Sequence, residues 1–150
     1  MKQRGFTLIE LLVIIIIIGI LAAVGVVAYN GYMVGVKKNV VKSNHATVRK
    51  YIGTELQKCN LGETTAMGGH LTCANKSNAI IVTKATVDSL TDFKNPYNIA
   101  NDVAIKRSSK TVCDSDTEGN TMVHDDGVTV TVRSCIKSGE PLLLGTVPIE

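Results

Sequence analysis

Residues 1–29 read MKQRGFTLIELLVIIIIIGILAAVGVVAY, and from Leu11 to Ala28 this stretch carries no charged side chain. Eighteen residues in helical form rise about 27 Å, close to the ~30 Å of a bilayer's hydrocarbon core. The β-branched run VIIIII would also suit a buried strand, but strands are usually about 5 or 6 residues and this run holds no turn signal. The stretch therefore predicts a membrane-length helix, with Tyr29, Tyr32 and Met33 extending it toward Val36. A secretory signal would be shorter and would end at a small-residue cleavage site, whereas LAAVGVVA runs on into helix-compatible sequence. Glu10 is the anomaly, a lone carboxylate just inside the apolar run.

Outward from this segment the pattern changes. Val34, Val41, Val48, Ile52, Leu56 and Cys59 recur at sevens, fours and threes, which is one apolar stripe, and Lys37, Lys38, Lys42, Asn44, Arg49, Lys50 and Glu55 occupy the other faces. The helix is thus apolar all round in its first half and amphipathic in its second. From Thr7 to roughly Cys59 one continuous helix would be about 75 to 80 Å long. Gly25, Gly31, Gly35 and Gly53 each disfavour it by about 1 kcal/mol relative to Ala, so breaks or soft points are expected there.

The four cysteines, Cys59, Cys73, Cys113 and Cys135, all lie beyond the apolar segment. None forms a C-x-x-C pair, and an even number of widely spaced cysteines fits two disulfides in an oxidising compartment. Lys2 and Arg4 on one side compete with Lys37, Lys38 and Lys42 on the other, so charge leaves the topology open, and the cysteines place the head outside the cytoplasm. Three connectivities are open. The sequential one, Cys59 with Cys73 and Cys113 with Cys135, would close loops of about 15 and 23 residues, each stabilising by roughly 3 kcal/mol in the chain-entropy model. It is the expected one, because a hairpin already brings the strands of the second loop together. A zinc site would add His70 and His124 to the thiols, but no pair has finger spacing.

NLGETTAMGGHLTC, residues 60–73, reads as a glycine- and threonine-rich loop. Strand-like runs follow at Ala79–Val87, Asp102–Cys113, Asn120–His124 and Gly127–Cys135; the last alternates strictly, and HDDG before it is a hairpin signal. Pro96 and Pro141 mark turns at the sheet's borders. The fold class expected is α+β: a long N-terminal helix packed on a small antiparallel sheet head with two disulfides. The chain divides into a leader at 1–5, a hydrophobic helix at 6–33 and a head at 34–150. Within the head come the amphipathic helix (34–59), a loop (60–78) and the sheet with its disulfide-closed C-terminal region (79–150).

The segment RGFTLIELL, Arg4 to Leu12, resembles the N-terminus of type IV pilins. In that family a short basic leader ends in glycine, here Gly5; the new N-terminal residue is Phe6, and a glutamate stands at the mature fifth position, here Glu10. The resemblance covers about thirty residues, with the rest similar only in architecture, including a disulfide-closed loop of the Cys113 to Cys135 type. It implies cleavage and N-methylation by a prepilin peptidase, an inner-membrane precursor, pilus assembly machinery at that membrane, and extraction into a homo-oligomeric helical filament outside the cell. Such filaments serve adhesion, twitching motility or DNA uptake. Where many pilins carry a proline in mid-helix this chain has Val27, with Gly19 and Gly25 nearby. Gly19 and Ala23 form a small-xxx-small pair suited to close helix packing.

Without residues 1–5 the chain holds 14 basic and 13 acidic side chains, a net of +1. The cations are dispersed and aromatics few, so nucleic acid is not indicated as a partner. DSDTEGNTMVHD, Asp114 to Asp125, comes close to a calcium loop through Asp114, Asp116, Glu118 and Asp125, but position nine is Met122 and the plainer reading is a polar turn. No other cofactor is indicated. Asn75 in NKS reads as a surface loop residue that fits a glycosylation pattern. Tyr29, Tyr32 and Tyr51 read as packing and border aromatics. His45, His70 and His124 stand apart from any nucleophile arrangement, and no enzyme is expected. Three functions follow: filament subunit; minor pilin or type II secretion pseudopilin; and membrane-anchored binding protein that never assembles.

Overall fold

A computed structural model describes residues 5–100 and 102–149. The basic leader residues Lys2 and Arg4 lie outside the described residues. Helix α1 is Leu8–Asn60 and is followed by a head with β1 (Thr65–Ala66), β2 (Leu71–Thr72), α2 (Ala79–Ser89), β3 (Ile105–Arg107), β4 (Thr121–Asp125), β5 (Thr129–Ser134) and β6 (Leu143–Pro148). The chain divides into two units, one through Val36 and one from Lys37 onward.

In the first unit α1 is helical without interruption, so the expected breaks at Gly25, Gly31 and Gly35 are absent, as is the one at Gly53 in the second unit. A glycine lowers helix propensity but keeps its N–H, whereas a proline would delete a hydrogen bond; with valine at position 27 nothing removes a donor.

In the second unit the helix buries Val41, Val48, Ile52, Leu56 and Cys59, the expected stripe. Val34 is 44% exposed and lies outside it. Three polar residues, Asn44, His45 and Glu55, are buried in the same stripe. The carboxylate of Glu55 accepts the backbone N–H of Met67 at 2.5 Å and pairs with Lys58. Burial alone would raise its pKa, but the hydrogen bonds from Lys58 and Met67 outweigh that and leave it lowered. Met67 sits at φ 53°, a conformation that costs a non-glycine residue about 1 kcal/mol or more, and the Glu55 contact holds it there. The loop expected at 60–78 therefore contains structure: β1 pairs with β2 antiparallel, and short 3-10 turns cover Met67–Gly69 and Cys73–Asn75.

The run Ala79–Val87, expected to be a strand, is helix α2. Asn78 caps it, its side-chain oxygen accepting the N–H groups of Ile80 (3.1 Å) and Ile81 (3.3 Å). Its buried residues, Ala79, Val82, Thr83, Ala85 and Thr86, fall at helical spacing. Thr86 donates its hydroxyl to the Val82 carbonyl at 2.8 Å, which satisfies a buried polar group inside the helix. Helical burial of one face against the core thus overrides the β preference of its branched residues.

The sheet has order β3-β4-β5-β6. β4, β5 and β6 are antiparallel, with Val123 opposite Val132 and Val130 opposite Val147. β3 adds a parallel pair, Ile105 against Thr121. The long strand expected over Asp102–Cys113 is confined to three residues, with the Ser108 N–H still donating to the Val123 carbonyl before the chain runs on toward the second disulfide. β6, read from sequence only as a proline-marked border, is a six-residue strand. The main core joins Val48, Ile52, Leu56, Met67, Leu71, Val82, Ile105, Val123, Val130 and Val132. Cys113, Met122 and Cys135 form a smaller cluster with Leu142 against it. Disulfides link Cys59 to Cys73 and Cys113 to Cys135.

Candidate assembly segment

Gly5, Phe6 and Thr7 precede the first helical turn. Thr7 stands at the N-cap and Glu10 three residues on, and the two satisfy each other: the Thr7 N–H and hydroxyl donate to Glu10 Oε2 at 2.8 and 2.7 Å, and the Glu10 N–H donates to Thr7 Oγ1 at 3.3 Å. This is a capping box. Glu10 therefore has a local task that its place in an apolar run does not reveal, and T-x-x-E in TLIE is the sequence signal for it. Its position in the first turn also sets a negative group against the positive end of the helix dipole. Oε1 has no donor among the described residues.

Beyond the cap the side chains find no cover in their own chain. Leu11, Ile15, Ile18, Leu21 and Val24 are each more than half exposed. An 18-residue window of α1 has a mean hydropathy of 3.3, long and apolar enough to cross a membrane. Contiguous apolar surface on this scale marks contact with another protein or a lipid phase. Gly5 and Gly19 have open space where a Cβ would stand, and neither has a positive φ. Among the described residues nothing in the chain itself requires a glycine at either position. Ala23 lies one turn beyond Gly19 on the same side of the helix.

The other candidates fare differently. The proposed calcium ligands do not converge, and no metal-competent group of three His, Cys, Asp or Glu exists among the described residues. Asp125 lies in β4 with Arg107 3.2 Å away, while Asp114 and Asp116 share Lys110 at 3.0 and 3.7 Å. Asp114 Oδ1 also accepts the Thr117 hydroxyl and N–H and the Asp116 N–H. The Lys110 and Thr117 contacts lower its pKa to about 2. The DSDTEG stretch is thus a polar turn, in which the Asp114 carboxylate is occupied by its own backbone, Thr117 and Lys110. All four thiols are in disulfides, which removes the zinc reading.

His45 Nδ1 lies 3.0 Å from Ser134 Oγ, within reach for a base and a nucleophile, yet Ser134 has no exposed surface for a substrate to meet. His70 is exposed and His124 half-buried. Tyr29 and Tyr32 are exposed, and Tyr51 packs on the core. Asn75 is exposed in its 3-10 turn.

Residues 1–26 match the family model described as the prokaryotic N-terminal methylation motif. Over 79 residues the chain is 43% identical to prepilin peptidase-dependent protein D of Escherichia coli K12, a stretch that is 53% of this chain and 49% of that protein. It is 33% identical over 93 residues to a type IV major fimbrial protein FimA of Dichelobacter nodosus, 57% of this chain and 60% of that one. A second FimA of that organism is 39% identical over 70 residues, 43% of this chain and 45% of its own length. The chain thus spans about half the length of the curated relatives it matches. No solved structure is a significant match.

Proposed function

For a chain that is of the type IV pilin family by its N-terminal motif and its fimbrial relatives, we propose the role of a structural filament subunit, cut between Gly5 and Phe6 and assembled through helix α1. The observation that carries this reading is the exposed, uncharged helix surface from Leu11 to Ala28 behind a capped Glu10. Lipid covers that surface in an inner-membrane precursor, and copies of the same helix cover it in a fibre outside the cell, where packing of small residues such as Gly19 and Ala23 lets backbones approach.

In this reading cleavage turns the Phe6 N–H into an ammonium group four residues from Glu10. The amine of an incoming subunit meets the Glu10 carboxylate of one already in place. In a dry core either charge alone costs several kcal/mol, so the pair checks register while the apolar faces supply adhesion. Prepilin peptidase and the membrane assembly machinery are the proposed partners, with no catalytic role for the chain itself. The two disulfides of the head suit the oxidising exterior.

Electron microscopy of sheared surface material, with intact mass and N-terminal analysis of its main protein, tests the proposal. Fibres of this chain beginning at methylated Phe6 are expected. A processed chain present only as a trace component of fibres built from another protein would make it a minor pilin or pseudopilin, and an unprocessed chain that stays in the membrane would make it an anchored protein that does not assemble.

A further inference from the structure

Three polar groups meet inside the head where α1 lies on the sheet. His45 Nδ1 is 3.0 Å from Ser134 Oγ, and Ser134 Oγ is 2.8 Å from Thr121 Oγ1. Thr121 and Ser134 are cross-strand partners with no exposed surface, and His45 is 7% exposed. Two contacts use two protons. Each hydroxyl carries one, and a neutral imidazole with its proton on Nε2 presents a bare Nδ1. Ser134 then donates to Nδ1, Thr121 donates to Ser134, and both hydroxyl protons have an acceptor. A proton on Nδ1 makes three donors for the same two contacts. Whichever way the hydroxyls turn, one O–H of Ser134 or Thr121 is left without an acceptor in the core, and a buried donor left unmade is destabilising.

We infer that His45 is a proton-operated latch on the helix–sheet seam: closed when Nδ1 is bare, and loosened when Nδ1 takes up a proton, so that α1 is held less firmly to β4 and β5 in mildly acid surroundings.

The charges around the ring do not oppose this. On α1 its neighbours one turn away are Lys42 and Arg49, both cationic. β4 presents the neutral Thr121; its carboxylate on that face, Asp125, is at the far end of the strand and pairs with Arg107 of β3. β5 presents Ser134, and the guanidinium of its Arg133 reaches the Ser109 carbonyl. β6 contains no ionisable side chain. Burial first, and the Arg49 charge second, hold the His45 pKa below its ordinary value. The unfolded chain therefore takes up the proton first. The stabilisation is complete above about pH 6.5 and declines as pH falls from there toward the folded-state value.

The test uses the full chain in detergent micelles. Thermal unfolding of the head is compared at pH 7.5 and 5.5 for the unaltered protein and for His45→Gln, whose amide offers an acceptor that does not titrate. The unaltered protein is expected to lose about 5 °C over this interval and His45→Gln less than about 1 °C. Imidazole nitrogen shifts of the unaltered protein give an answer that does not depend on the variant folding: Nδ1 bare and Nε2 protonated at pH 7.5, with a midpoint below that of a histidine peptide. An Nδ1–H tautomer at neutral pH, a midpoint at or above the peptide's, or an equal loss in His45→Gln would each overturn the latch.

Discussion

A Cβ placed on Gly119 would fall 2.0 Å from Oδ1 of Asn95 and 2.8 Å from the Tyr97 ring. Asn95 is buried and ties two loops together: Asp102 Oδ2, the Glu118 carbonyl and Asn120 Oδ1 share the two N–H groups of its amide nitrogen, and its Oδ1 accepts the Tyr97 N–H. Gly119 also has φ +81°, in the left-handed region. Gly119→Ala is therefore expected to destabilise the head by about 3 kcal/mol, combining backbone strain with a displaced buried amide. Gly145→Ala is the control. Its Cβ would meet only the far end of the exposed Arg49 side chain, which can swing aside, so a loss under about 1 kcal/mol is expected. Urea unfolding of both variants checks the contrast.

The capping box allows the capping role of Glu10 to be separated from its proposed role in assembly. Gln retains the cap and removes the charge; Ala removes both. Glu10→Gln should keep the start of α1 helical and still fail to make fibres as the only subunit. Thr7→Ala should weaken the helix start by about 1 kcal/mol while leaving the charge in place, and should still assemble. Fibre counts by electron microscopy decide the matter, and normal fibres from Glu10→Gln would assign the residue to capping alone.

Gly5 and Gly19 meet nothing in their own chain, so enlarging either should leave the head folded. Gly5→Val is expected to leave an uncut precursor in the membrane, seen as a chain of full mass. Gly19→Leu is expected to be cut normally and to give few fibres. A mature-length chain from Gly5→Val would remove the processing assignment.

Asp126 closes the turn between β4 and β5, accepting the N–H groups of Val128 (3.0 Å) and Thr129 (2.6 Å) and the Thr129 hydroxyl (2.8 Å). These bonds, the Thr129 N–H first, lower its pKa to about 2. The folded carboxyl holds its proton less tightly than the unfolded one, so the contribution is complete well above pH 3.8 and is lost as pH falls through about 2. A carboxyl-carbon NMR titration should find this midpoint in the unaltered chain and move it upward in Thr129→Val.

The disulfide between Cys113 and Cys135 closes a loop that contains the whole β4–β5 hairpin. Replacing both cysteines by alanine is expected to lower head stability by about 3 kcal/mol without changing the Cys59 to Cys73 link, measured by denaturant unfolding and by peptide mapping without reductant.

The sequence by itself determined the helix and its two characters, because an uncharged run and a stripe at sevens, fours and threes are properties of single side chains counted along one axis. It determined the β4–β5 hairpin for the same reason: strict alternation and a turn signal are local. The N-terminal methylation motif was legible too, being a short linear pattern. Only the tertiary structure decided that Ala79–Ser89 is a helix, since branched residues suit both states locally and burial of one face against the core selects between them. It alone paired Asp125 with Arg107 of β3, away from the Asp114 and Asp116 that share Lys110, because spacing along the chain says nothing of which cation a neighbouring strand supplies. And it alone brought His45 to Ser134, across 89 residues of sequence, where the polarity of one hydroxyl chain depends on strand register that no local pattern encodes.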